Sequence, residues 1–125
     1  MPIQFKIDHD RRHVEAKAEG VVGLADVEAF LDAIVVQGAI PYRKLFDGRL
    51  AVGKYNDNDV MMLGARISAY AANLETRGAV AIIAPNEEAS ILAKRFINLG
   101  KSGRAAEVFL SEAEARKWLE AQPEV

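Results

Sequence analysis

Few residues in this chain have types and spacings that could do chemistry, and the local context of each limits what it can do. His9 and His13 frame the segment His9-Asp10-Arg11-Arg12-His13. A spacing of four seats a metal when both imidazoles project from one helix face, but this segment reads as a hairpin turn. Only Asp8 or Asp10 is near enough in sequence to be a third ligand, so a solvated turn is the reading adopted. Asn56-Asp57-Asn58-Asp59 offers a run of oxygen ligands. It lacks the central Gly and distal Glu of an EF-hand loop, and reads instead as a helix cap whose acids face the positive helix end. Gly100-Lys101-Ser102 matches the end of a P-loop, yet the upstream glycine position is Arg95. The segment also leaves a helix for a strand, the reverse of a P-loop, so a plain turn is expected.

The chain has no cysteine, which excludes a disulfide framework, a thiolate nucleophile and a thiolate metal site. No serine stands in a Gly-x-Ser-x-Gly elbow. Asp47 and Arg49 form the best charged pair at the carboxyl end of a strand, where open α/β sheets place ligands. A structural ion pair or turn cap is favoured there over a catalytic acid. The connection that follows, Gly48 to Asn56, is long for a strand-to-helix loop and carries apolar Leu50, Val52 and Tyr55 between Gly48 and Gly53. Apolar residues on a mobile loop either fold back onto the body or meet a partner, and both remain open. Met61 and Met62, after Asp57, cannot both point inward with Val60 and Leu63. Adaptable methionines beside such a loop suit a binding groove as well as ordinary packing. The candidate binding set is therefore Asp47, Arg49, Leu50, Val52, Tyr55, Asp57, Met61 and Met62.

Composition bounds these readings. The sequence has 125 residues, half of them apolar, which suits a single domain spanning 1–125 with one core. Sixteen Lys and Arg oppose eighteen Asp and Glu, spread along the whole length. That balance argues against nucleic acid, which demands a positive field. The densest basic stretch, Lys94, Arg95, Lys101 and Arg104, reads as a solvated helix end. The start, Met1 to Lys6, alternates polar and apolar residues rather than running apolar as a signal peptide does. No apolar run approaches the roughly 20 residues that cross a bilayer. The expectation is a cytoplasmic protein without cofactor, metal site or membrane insertion.

The elements that position these residues follow from hydrophobic period. Ile3, Phe5 and Ile7 alternate with polar neighbours, and so do Val14, Ala16 and Ala18, predicting a hairpin around a polar turn at His9 to Arg12. The second arm is placed at His13 to Gly20. Leu24, Val27, Phe30, Leu31, Ile34 and Val35 recur at helical spacing until Gly38 and Pro41 stop them. Lys44 to Arg49 reads as a short strand. A second helix, capped by Asn56 or Asp57, carries Val60, Leu63, Ile67, Ala71 and Leu74 on one face. Ala79 to Ala84 is the continuous apolar run of a doubly covered strand. Asn86 caps a third helix with Ala89, Leu92, Ala93, Phe96 and Leu99 as its stripe, closed by Gly100 to Gly103. Ala106 to Leu110 is the last strand, and Ser111 to Glu114 is a capping box before a helix with Ala115, Trp118 and Leu119 inward. The order β-β-α-β-α-β-α-β-α implies an α/β fold: a mostly parallel five-strand sheet, its first strand antiparallel at an edge, with helices on both faces.

That order resembles the STAS domains, and most closely the SpoIIAA-like set of small bacterial proteins also labelled STAS/SEC14. The residues carrying the resemblance are Tyr42-Arg43-Lys44-Leu45-Phe46-Asp47, a strand ending in Asp, and the tail from Ala106 to Leu119, which ends in Trp118-Leu119. The resemblance implies a non-enzymatic regulatory module acting through protein contacts at the loop after the third strand. Its SEC14 label implies the alternative, a carrier or sensor of a small apolar or lipid-like ligand held between helix 57–74 and the sheet. In the sigma-factor antagonists a Ser or Thr follows the strand-ending Asp and is phosphorylated by a kinase; here Gly48-Arg49 follows Asp47. No Ser or Thr occurs before Ser68. A homodimer is also expected, since Ala29 and Val36, like Met61 and Met62, carry apolar surface beyond the core stripes. Phosphorylation gives a direct test. Incubated with an anti-sigma-factor kinase and ATP, the segment from Asp47 to Asp59 is expected to stay unmodified, because Tyr55 is its only hydroxyl and no Ser or Thr is there to take the phosphate. Phosphate mapped there by mass spectrometry would contradict this.

Overall fold

Period-2 alternation at the start folds as expected. β1 (Ile3–Asp8) and β2 (His13–Val22) pair antiparallel, from Ile3 opposite Ala18 to Asp8 opposite His13. The turn between them is held by Asp8, whose Oδ1 accepts the amides of Asp10 at 3.1 Å and Arg11 at 3.0 Å. Arg12 takes the left-handed conformation (φ 53°) that closes it. The computed structural model describes residues 2–71, 78–99 and 105–123. The remaining elements are α1 (Leu24–Val36), β3 (Arg43–Gly53), α2 (Asp57–Ala71), β4 (Val80–Ile83), α3 (Glu87–Leu99), β5 (Ala106–Phe109) and α4 (Glu112–Glu120).

The strands form one five-stranded sheet in the order β1-β2-β3-β4-β5, in which only the β1–β2 pair is antiparallel. Because β2 to β5 are laid down in spatial order, each right-handed crossover sends its helix to the same face. Val27 and Phe30 of α1 accordingly pack on Ala16, Ala18 and Val22. Phe30 sits edge-on between Phe5 and Phe46, at 5.4 and 5.7 Å between ring centres. α2 lies beside α1, and α3 beside α2. After β5 the chain turns to the opposite face, where Ala115 and Leu119 of α4 close on Leu45, Ala81 and Ile83. Trp118 and Phe109 complete that layer.

Helix ends follow the sequence signals. Asn56 and Asp59 cap α2 reciprocally, each side chain accepting the other's amide, at 2.8 and 3.1 Å. Asn86 accepts the Ala89 amide at 2.9 Å, and Ser111 accepts that of Glu114 at 3.4 Å. Gly38, with φ +69°, ends α1 as expected. Of the stripe expected on α2, Val60 and Leu63 are buried. The side chains of Ile67 and Ala71, with Leu74, lie outside the described residues, as do the Phe96 and Leu99 side chains and Gly100 to Gly103.

One boundary departs from expectation. Gly48 to Asn56 is not a long loop: β3 continues to Gly53, and β2 to Val22, pairing Leu50 with Glu19 and Gly53 with Val22. The physical reason is a bulge. Between Lys17–Asp47 and Glu19–Leu50, one residue of β2 opposes two of β3, which shifts the inward phase and hides the alternation. β4 ends at Ile83, opposite Asp47. Beyond it β2 and β3 therefore run on as a two-stranded ribbon. Only Lys54 to Asn56 connects β3 to α2.

The start of β4 is the tightest point of the sheet. A Cβ on Gly78 would stand 1.8 Å from the Tyr42 carbonyl oxygen, while the Gly78 amide donates to Ile40 at 3.1 Å. Neither backbone can yield without losing its ladder. Gly78→Ala is expected to destabilise the protein by about 3 kcal/mol, read as a fall in the chemical-denaturation midpoint. A midpoint within error of the parent would contradict the packing described.

Candidate functional site

The sheet brings the expected site residues to three separate places. Asp47 and Arg49 lie on the α4 side. Asp47 accepts the Arg49 backbone amide at 3.1 Å and its Nε and Nη2 at 3.0 and 2.7 Å. Arg49 Nη2 also donates to Glu112 at 2.5 Å, Glu112 accepts Arg116 Nε at 2.9 Å, and Arg116 reaches Glu15. This chain of five charges ties β3, α4 and β2 together. The Arg49 hydrogen bonds hold the Asp47 carboxyl below its ordinary range, and Arg116, then Arg49, do the same to Glu112. Both are therefore ionised near neutrality and have no proton to donate there. Their contribution to stability is present above the ordinary carboxylate pKa and is lost as pH falls through the depressed folded values.

Leu50 and Val52 point from the ribbon into solvent together with Val21, each more than half exposed. Met61 and Met62 lie on the outer side of α2, 64% and 49% exposed, and Asn58 reaches the Met62 sulfur at 3.4 Å. Asp57 pairs with Arg95 at 2.8 Å. Tyr55 alone of the set turns inward. Its ring folds back over Gly53, where a Cβ would stand only 2.6 Å from Cε2. Burial, with Asp26 and Asp59 nearby, pushes its hydroxyl up to about 12.

The histidines are absorbed by structure. His9 Nδ1 shares a 2.8 Å hydrogen bond with the Tyr42 hydroxyl, and burial lowers the pKa of His13. Among the described residues no group of three or more His, Cys, Asp or Glu could hold a metal ion, and no helix is long and apolar enough to cross a membrane.

What Tyr55 enters is a cavity of about 260 Å³ between the sheet and α1, α2 and α3. Its floor is made of small inward residues, Ala16 and Ala18 of β2 and Ala51 of β3, beside Phe46 and Ile82. The roof is Leu31, Leu63, Leu92 and Ala93. α2 is flanked by α1 and α3. Arg66 links it to Glu28 and Asp32 of α1 at 2.6 and 2.9 Å, and Asp57 links it to Arg95 of α3. Gly53 and Pro85, both exposed and both lining the cavity, mark where it meets solvent, at the carboxyl ends of β3 and β4. At the far end Lys44 also lines it, with Nζ donating to the carbonyls of Ile40 and Tyr42.

The family resemblance implied a ligand between helix 57–74 and the sheet only as the alternative to protein contacts, and did not identify the residues lining this space. The usable signal was the alternation of Ala16 and Ala18 in a strand facing helices with large apolar residues. Small residues on a sheet floor do not reach a helix roof.

No family model matches the chain, and no curated protein is similar to it in sequence. Among solved structures it is similar to an uncharacterized protein from the DUF3478 family with a SpoIIAA-like fold, from Shewanella loihica PV-4. The TM-score is 0.61 and the identity 22%, over 94% of this chain and 93% of that one. The five-stranded mixed sheet with its four helices is thus a SpoIIAA-like fold, as the element order implied.

Proposed function

We propose that this chain is a non-catalytic binding module that holds the apolar part of a small, chain-like molecule between the sheet and helices α1 to α3. The cavity carries this reading. The space is about 260 Å³, mostly apolar and open to solvent at one end, so an apolar occupant would remove its lining from water. The volume accommodates about nine groups the size of a water molecule, on the order of a decyl chain. The shape agrees, since the wall follows β2 from Val14 to Val22, an extended path that suits a chain better than a compact ring.

Protein contact is the second reading, and the exposure of Leu50, Val52, Met61 and Met62 favours it. A second copy of the chain is the occupant proposed for that surface. It competes with the first reading only if the cavity proves empty.

A native mass spectrum of protein purified without denaturation tests the first reading. The expected result is one bound small molecule per chain, or uptake of one decanol by stripped protein. Ala93→Phe, which fills the roof from a helix, is expected to abolish binding while keeping the circular dichroism of the parent. Bare protein that takes up no decanol would overturn the reading, and the same spectrum reports whether the chain is a dimer.

A further inference from the structure

One inward position of the sheet does not hold an apolar residue. β3 alternates through Lys44, Leu45 and Phe46: Leu45 packs with α4, while Phe46 and Lys44 belong to the cavity face. Lys44 stands between Val14 of β2 and Val80 of β4, its partners in the ladder on either side, and both valines also line the cavity. A third apolar side chain would complete that row. A lysine there sets a cation in the wall of an apolar space, a position such residues seldom take. Among the described residues no Asp or Glu lines the cavity, and Lys44 and Tyr55 are the ionisable groups that do. The Tyr55 hydroxyl, pushed up to about 12, stays neutral near neutral pH. The charge built into this wall is therefore that of Lys44.

Lys44 Nζ donates to the carbonyls of Ile40 and Tyr42, which accounts for the direction of the side chain. Carbonyls are neutral, so these bonds steady the ammonium without cancelling its charge. Lys44 is only half-buried, as are Ile40 and Val80 beside it in the lining. A head group at this end keeps part of its hydration, which spares an ionised group the cost of deep burial. A carboxylate makes a stronger hydrogen bond with an ammonium than a carbonyl does, and the flexible stem of lysine lets Nζ turn to it. The wall along β2 starts at Val14, opposite Lys44, and ends at Val22, opposite Gly53. A chain anchored at Lys44 thus lies along β2 with its tail toward Tyr55. Resting on the cavity reading above, we infer that this site takes an alkyl carboxylate, its head group at Lys44 and its tail along the alanine floor.

Titration calorimetry at neutral pH with decanoate, decyltrimethylammonium and decanol on the full chain tests this, since the three share one tail. Decanoate is expected to bind about tenfold more tightly than the cation, because one partly screened charge attracts the first head and repels the second. High salt is expected to narrow that ratio. Lys44→Met, which keeps an apolar stem, is expected to remove most of it while decanol binds as to the parent, and Lys44→Arg to preserve it. Decanoate bound no more tightly than the cation, while decanol binds, would overturn this inference and leave the cavity reading intact. An undiminished ratio in Lys44→Met would overturn it too. Should that variant lose decanol binding, nuclear magnetic resonance of the parent decides: the Lys44 ε-methylene signals are expected to shift with decanoate more than with decanol, and equal shifts would count against the inference. Binding of none of the three probes would overturn both readings.

Discussion

The constraint on which the rest of this structure depends is the handedness of its crossovers. β2, β3, β4 and β5 are parallel and lie side by side in chain order, so three successive right-handed connections stack α1, α2 and α3 on one face. Three helices crowd that face, and the middle one, α2, lies between α1 and α3. Among the described residues the terminal α4 alone covers the other face. The room on one face, the close packing on the other and the shared rim of helix amino ends all descend from this one rule.

The two faces illustrate different ways of holding helices to a sheet. On the α4 side, Leu45, Ala81 and Ile83 meet Ala115 and Leu119 with almost no exposed surface. Arg43 ties the end of α4 by donating to the carbonyls of Leu119, Glu120 and Gln122. Basic charge at a helix carboxyl end complements its dipole. The exposed Asp47–Arg49–Glu112–Arg116–Glu15 chain orients the layer, but surface pairs of this kind contribute little energy. On the cavity side the ion pairs of Arg66 and Arg95 work between helices, while Val60 and Leu63 of α2 are fully buried.

How legible was this in the sequence? Element types, their order and most caps could be read because period and cap residues are local signals: Asn56, Asn86 and Ser111 each cap where they were expected to. The SpoIIAA-like architecture followed from order alone. The end of β3 could not be read, because a bulge broke its alternation and Gly48 and Gly53 read as loop punctuation. That misreading made Leu50 and Val52 into loop residues and joined them with Tyr55 into one site. In the folded chain Tyr55 faces the cavity while Leu50 and Val52 face away from it. The cavity itself is a non-local property. Its lining joins Ala16 and Ala18, which look like ordinary inward strand residues, with Leu31 and Leu92 from separate helices.

On the function proposed here, the working part of the module is the apolar space between the sheet and α1 to α3. Nothing in the charge chain near Asp47 offers a proton at neutral pH, and the strongest geometric feature is a space. Nuclear Overhauser contacts between a bound decyl chain and the protein's methyl groups test this most directly. The account predicts contacts to Ala16, Leu63 and Leu92 and none to Ala115 or Leu119 across the sheet. Contacts confined to Val21, Leu50 and Val52, or to Met61 and Met62, would contradict it.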